Sequence, residues 1–353
     1  MAYTNIDDPS AYFQTVLWTG DGTNGRAITN DGNSDLQPDF VWGKTRSIGI
    51  SFWAYDSTRG ATKRIYTDFA NTEATVTNGL QSFDTDGFTV GDNGEINGNT
   101  YTLVGWQWKA NGGTTSSNTD GSITTTVQAN TDAGFSIVTY TGNGSTGQTI
   151  GHGLGVAPDF MIVKNRGQGY NWVVYHKESN SSPEDYYIPW NTTDAATLAS
   201  DIWGSSPPTS TVIGVKNFNE TNASSSNYVA YCFAEKQGYS KFGKYFGNGN
   251  TNGTFVYTGF KPNLIMIKRI DSTSNWTVWD SKRDSYNPGE RTLFPNGGNA
   301  EETNNANEKW DILSNGFKFR SNGRNTVSGG TYIYMAFAEN PFVTSTGIPT
   351  TAR

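Results

Sequence analysis

Apolar residues along this chain come in short runs separated by Gly, Asn, Ser and Thr, and the runs are of two kinds. The first kind is continuous, as in Phe160-Met161-Ile162-Val163 and Leu264-Ile265-Met266-Ile267, each with a proline just upstream, Pro158 or Pro262. A strand buried on both faces reads this way, and Pro is tolerated where a strand begins because its missing N–H does least harm there. Runs this short, bounded by Pro and by a turn, favour strand over buried helix. The second kind alternates. In Trp172-Val173-Val174-Tyr175-His176 the two-residue period places Trp172, Val174 and His176 on one face and Val173 and Tyr175 on the other. With the polar loop Gly167-Gln168-Gly169 between them, the two runs predict an antiparallel hairpin. Asp86-Gly87-Phe88 and Asn315-Gly316-Phe317 supply tight-turn dipeptides between further β runs. No segment carries a convincing amphipathic helical pattern, and residues 194–202 make at most one helical turn. The expected fold class is all-β, built from antiparallel β-sandwich or jelly-roll-like modules.

The same phrases return in constant order. Gln37-Pro38-Asp39-Phe40-Val41-Trp42-Gly43-Lys44 recurs as Ala157-Pro158-Asp159-Phe160-Met161-Ile162-Val163-Lys164 and as Lys261-Pro262-Asn263-Leu264-Ile265-Met266-Ile267-Lys268. Upstream, Trp18-Thr19-Gly20-Asp21-Gly22 matches Tyr140-Thr141-Gly142-Asn143-Gly144 and Tyr245-Phe246-Gly247-Asn248-Gly249. Downstream, the run ending in Tyr55-Asp56 matches those ending in Tyr175-His176 and Trp279-Asp280. Each copy closes on an aromatic strand, around Trp106-Gln107-Trp108, Tyr231-Cys232-Phe233 and Met335-Ala336-Phe337. Ordered self-similarity of this kind is the signature of a repeat architecture. The expected organisation is three tandem repeat domains. A first β repeat with an N-terminal attachment segment covers 1–112, and a Gly/Ser/Thr linker covers 113–132. The second repeat covers 133–239, the third 240–341, and an extended tail 342–353.

Composition narrows what such a chain can do. A polar, Gly-rich chain of 353 residues could be disordered, but 11 Trp, 18 Tyr and 19 Phe give ample surface for a core. A net charge of −7 without a basic run argues against nucleic acid as a partner, because phosphate neutralisation needs clustered Lys and Arg. No apolar run approaches the length of a membrane span, and the first residues show neither a basic nor an apolar signal-peptide region. Cys232 stands alone, flanked by Tyr231 and Phe233, so no intrachain disulfide is possible and a small buried residue is expected.

Candidate chemistry is sparse. The two histidines, His152 and His176, read as a loop residue and a repeat variant of Asp56 and Asp280. No Gly-x-Ser-x-Gly phrase surrounds any serine, and a structural zinc site is not expected. The adjacent pairs Glu301-Glu302 and Glu184-Asp185 point oppositely if extended and read as solvated loop charge. Asp84-Thr85-Asp86-Gly87 lacks the remaining ligands of a calcium loop and reads as a turn. The basic pairs Lys44/Arg46, Lys164/Arg166 and Lys268/Arg269 are expected to make local salt bridges to Asp56 or Asp280. Aromatics repeated in all copies read as core. Those peculiar to one copy are better binding candidates, and Tyr186, Tyr187 and Trp190 in the loop-rich insertion of the second copy are chosen on that ground. Trp203 there is read as the structural counterpart of Trp310.

The aromatic phrases also carry a resemblance. Tyr140-Thr141-Gly142-Asn143-Gly144, Asn227-Tyr228-Val229-Ala230-Tyr231-Cys232-Phe233, Gly238-Tyr239-Ser240-Lys241-Phe242-Gly243 and Thr331-Tyr332-Ile333-Tyr334-Met335-Ala336-Phe337 resemble an uncharacterised β-rich repeat domain. That domain occurs in tail and virion structural proteins of marine bacteriophages that infect cyanobacteria and pelagic bacteria. The resemblance covers nearly the whole chain. It implies a virion protein assembled in the host cytoplasm and carries over no catalytic residue.

The expected function is therefore non-enzymatic and needs no cofactor. A tail fibre or tail appendage would attach to the host surface by multivalent, non-covalent binding. Its partners would be other virion proteins, further copies of itself with a trimer favoured, and a host surface glycan or protein. No nucleic acid and no membrane insertion are expected. The alternative is a capsid decoration protein that cements the head. The remote alternative is a depolymerase of surface polysaccharide.

Overall fold

The computed structural model describes residues 2–350, and the chain is all-β. Each module is built on four antiparallel strands. In spatial order the first module has Phe13–Thr19, Thr102–Trp108, Phe40–Thr45 and Trp53–Asp56. The second has Phe135–Thr141, Asn227–Phe233, Phe160–Asn165 and Val173–His176. The third has Ser240–Phe246, Thr331–Pro341, Phe260–Arg269 and Thr277–Asp280. The expected hairpin is present in every copy, with Phe40 opposite Asp56, Phe160 opposite His176 and Leu264 opposite Asp280.

A smaller sheet covers one face of each large one, which makes a two-layer sandwich. It contains Arg26–Ile28, Gly87–Val90 and Leu80–Asp84 in the first module, Gln148–Gly151 and Val212–Val215 in the second, and Phe255–Tyr257, Gly316–Phe319 and Trp310–Leu313 in the third. Three separate cores fill these sandwiches, around Trp53 and Phe88, Tyr175 and Trp203, and Trp279 and Phe317. Trp203 packs on Tyr175 at 6.1 Å as Trp310 packs on Trp279 at 4.9 Å.

The other face of all three large sheets meets in one common core. Phe40, Trp42, Trp106 and Trp108 come from the first module, Phe160, Ile162, Tyr231 and Phe233 from the second, and Leu264, Met266, Met335 and Phe337 from the third. This is why the Pro-initiated strands are apolar at consecutive positions: one face packs on the module's own cap and the other on its neighbours. Trp108, Phe233 and Phe337 occupy equivalent strand ends and touch one another, with ring separations of 6.1, 5.5 and 5.8 Å. The three modules expected as tandem domains thus close around an approximate threefold axis.

The seams between modules repeat cyclically. Glu73 N–H donates to the Arg166 carbonyl, Ala196 N–H to that of Ile270, and Glu301 N–H to that of Arg46. The Trp172 indole donates to the Tyr66 carbonyl and the Trp276 indole to that of Pro189, each at 2.9 Å. Phe52 takes the equivalent place in the first module and stacks on Trp42 at 5.3 Å.

The stretch 113–132, expected as a linker, carries strands Ser116–Asn118 and Thr125–Asn130, which extend the second module's sheet beyond Phe135–Thr141. Its Ser/Thr content hides a two-residue period: Ile123, Thr125 and Val127 are buried while Thr124 and Thr126 face solvent. Residues 342–350 of the expected tail fold back on themselves rather than extending, with Val343 bridged to Pro349 and Ser345 bound to Asp7, and 351–353 lie outside the described residues. Residues 194–202 hold the short strand Thr197–Leu198 instead of a helical turn. Among the described residues, no helix is long and apolar enough to cross a membrane.

Candidate binding surface

The aromatics singled out in the second module separate into different roles. Trp190 is 3 % exposed and lies in the common core, between Trp42 at 5.5 Å and Trp276 at 5.1 Å. It is a seam residue and is closed to ligand; the equivalent position of the first module is the smaller Thr67, which accepts from the Trp42 indole at 2.9 Å. Tyr187 is half-buried against Phe218 at 6.1 Å, and burial pushes its hydroxyl pKa up. The carbonyl of Tyr186 accepts the Trp203 indole at 2.9 Å. Being peculiar to one copy did not distinguish exposure from seam filling.

The basic pairs do not meet Asp56 or Asp280 through their lysines. The hairpin register sets Lys44, Lys164 and Lys268 at the far end of each hairpin from those acids. All three lysines are buried. The Lys164 ammonium donates to the carbonyls of Ala70, Gln168 and Tyr170, that of Lys268 to Thr193 and Ser274, and that of Lys44 to Thr45 and Ile48. Loss of solvent lowers their pKa values to about 8, 7 and 8 respectively. Two of these lysines therefore stitch their own loop to a neighbouring module. The arginines divide: Arg46 binds Glu301 and Arg166 binds Glu73 across seams, whereas Arg269 pairs locally with Asp271.

Asp56 and Asp280 instead hold Arg59 and Arg283, all four side chains being fully buried. These buried pairs reach into the neighbouring module, where Tyr231 donates to Asp56 at 2.6 Å and the Trp106 indole to Asp280 at 3.1 Å. His176 takes the third position. Its Nε2 lies 3.2 Å from the Tyr334 carbonyl and its Nδ1 accepts from Glu178 N–H at 3.0 Å. These two bonds call for the neutral ring protonated at Nε2, and burial lowers its pKa to about 4. His152 shapes a loop, accepting from Leu154 N–H. Glu301 sits between Arg46 and Arg283; burial alone would raise its pKa, but the two guanidinium groups hold it below the ordinary carboxylate value. Burial pushes the Cys232 thiol up to about 12, so it stays protonated. Among the described residues no group of three or more His, Cys, Asp or Glu is placed to hold a metal ion.

Among the exposed rings, Phe69 belongs to the first module and Phe246, Phe255, Tyr257 and Tyr286 to the third. Phe246, Phe255 and Tyr257 are 60, 43 and 52 % exposed. Val256 between the last two is buried in the sandwich core, so the two-residue period turns Phe255 and Tyr257 outward. The strand registers show what replaces them elsewhere. Phe246 corresponds to Thr19 and Thr141, and Phe255 to Ala27. Lys318 lies opposite Phe255 and Asp311 opposite Lys318, so charged groups share the outer face with the ring. At the end of the ledge the Tyr257 hydroxyl lies 3.3 Å from that of Tyr3, which donates to the Gly259 carbonyl at 2.6 Å. Flat, exposed rings flanked by hydrogen-bonding groups suit a ligand with apolar faces and polar edges. The signal was in the sequence: aromatics of one copy standing where the other copies have Thr or Ala.

A family model described as a domain of unknown function (DUF7483) matches residues 8–341, spanning all three modules. No curated protein and no solved structure matches the chain.

Proposed function

The chain belongs to the DUF7483 family, and we propose that it is a structural component of a bacteriophage virion, a tail fibre or tail appendage that attaches to host surface glycan. One observation carries the binding part of this reading: the outward placement of Phe246, Phe255 and Tyr257 on one module, Phe246 and Phe255 standing where the register puts Thr or Ala in other copies. Monomeric proteins rarely expose contiguous apolar surface without a partner. The common core supports a rigid, load-resisting role, because no module can move without opening a seam. Both chain ends also gather at one place, with Tyr3 beside Phe342 at 6.4 Å and Asp7 bound to Ser345. The binding is non-covalent, and repeated copies on one particle would turn weak single contacts into avidity.

A second reading, capsid decoration, is favoured by the approximate threefold ring, which suits a seat of threefold symmetry on a shell. Immunogold labelling of intact particles, paired with binding of the purified chain to host cells, separates the two. Label on tails with saturable cell binding is the result expected. Label spread over the head without cell binding would overturn the adhesion reading and favour decoration.

A further inference from the structure

The three seams are alike in their core but not in how the chain treats them. At the first, Asp39 collects the backbone N–H groups of Ala110, Gly112 and Gly113 at 2.7, 2.8 and 2.7 Å, together with the Ser57 hydroxyl. The carboxylate thereby holds the segment by which the chain crosses into the second module. At the second, Asp159 receives Glu235 N–H at 2.6 Å and the Lys177 ammonium, and the chain crosses again through 234–239. At the third, the equivalent residue is Asn263. The correspondence rests on matching bonds: Ser57, Lys177 and Ser281 donate their N–H groups to the carbonyls of Asp39, Asp159 and Asn263.

Asn263 captures no crossing segment. Strand Thr331–Pro341 continues beside Phe260–Arg269 past a bulge at Pro262 and Asn263, with Phe260 opposite Pro341. The space where a crossing segment would turn is a cleft of about 470 Å³ between the third and first modules. Its charges are balanced within the wall: Asp31 binds Lys282 across the seam, and Lys261 binds Glu339. Asn263 is 7 % exposed and lines this cleft. Its Oδ1 accepts from Thr15 at 2.7 Å, while its Nδ2 donates to none of the described residues. The donor is left open to the cleft, where a ligand can supply an acceptor.

We propose that the cleft between the first and third modules receives an extended polypeptide segment of a partner protein that carries no net charge, in the place that the chain's own crossing segments take at the other two seams. The occupant is argued from what fills the equivalent places: Ala110-Asn111-Gly112-Gly113 at one, Ala234-Glu235-Lys236-Gln237 at the other. The exchange of Asp for Asn inverts the local chemistry. Asp39 accepts from backbone N–H groups, whereas the free Nδ2 of Asn263 donates to a backbone carbonyl. The internally paired wall selects against a strand of net charge. This inference is independent of the aromatic ledge and of host binding.

The test uses the full chain and a fluorescein-labelled peptide of residues 110–116, the segment that fills the equivalent place at the first seam. Saturable binding with a Kd below about 1 mM is expected, weakened at least about tenfold by Asn263→Leu, with melting curves confirming that the variant folds. Asn33→Trp acts from an exposed position on the rim and is expected to block the peptide without touching the core. No saturation on the native chain, or equal binding by both folded variants, overturns the proposal. So does binding of a neutral glucose oligosaccharide that the same variants abolish while the peptide fails to bind.

Discussion

Tyr231 of the second module donates its hydroxyl to the carboxylate of Asp56 in the first at 2.6 Å, and that carboxylate also holds the buried Arg59 of its own module. A charge pair internal to one module is thus completed by its neighbour. Tyr231→Phe removes the hydroxyl that donates to Asp56 and accepts from Arg59 at 3.3 Å, and is expected to cost about 1.5–3 kcal/mol. Asp56→Ala removes one of the two carboxylates that neutralise the buried Arg59 guanidinium, leaving Glu73, and is expected to cost about 3–5 kcal/mol. Urea titrations of both variants check the ranking. Equal losses would show that the neighbour's hydroxyl matters as much as the ion pair.

The contact of Trp108, Phe233 and Phe337 predicts one unfolding event for the whole body. Phe337→Ala is expected to cost about 3–5 kcal/mol through the cavity it leaves. Melting should remain a single transition whether followed by calorimetry or by near-ultraviolet circular dichroism. By the same argument, a fragment of residues 133–239 alone exposes Phe160, Phe233 and their neighbours. It should bind a hydrophobic dye where the full chain does not. A fragment that folds cleanly by itself would contradict the shared core.

His176 gives the molecule a defined acid sensitivity. Its folded pKa of about 4 lies below the ordinary 6.5, so between these values the unfolded chain binds more protons than the folded one. Stability from this residue is complete above pH 6.5 and is lost as the pH falls toward 4. Changing it to Asn, which keeps a donor and an acceptor but does not titrate, should flatten the slope of stability against pH in that window. Denaturation midpoints at pH 4.5 and 7 for both proteins provide the comparison.

The ledge can be erased without disturbing the fold. Phe246→Thr and Phe255→Ala restore residues found in the other copies, and Tyr257→Ser removes the third ring. The triple variant is expected to keep its stability within about 0.5 kcal/mol for each exposed position. Binding to host cells should fall at least about tenfold. A large loss of stability would mean that the rings serve the fold.

The sequence made the β modules legible because one module's strands obey local rules. Proline before an apolar run, alternation in Trp172–His176 and Asp-Gly or Asn-Gly turns each act within a few residues. The ring was not legible. That Trp106 meets Asp280 and that Tyr231 meets Asp56 depends on modules meeting around an axis, which no local period encodes. The misreading of Trp190 has the same origin. A tryptophan peculiar to one copy can mark a ligand site or an irregular seam, and only the packing separates the two. The 113–132 stretch was obscured by composition, since Thr125 and Thr126 look alike in sequence while one is buried and the other exposed.

Because the third module's Glu301 N–H returns to the Arg46 carbonyl of the first, the array has no free terminal face. An open stack of repeats can lengthen or shorten by whole units, since each new copy meets the same end surface. Here a fourth copy would find every module interface already taken, and a deletion would leave two unmatched halves of one core. The number three is therefore fixed by geometry.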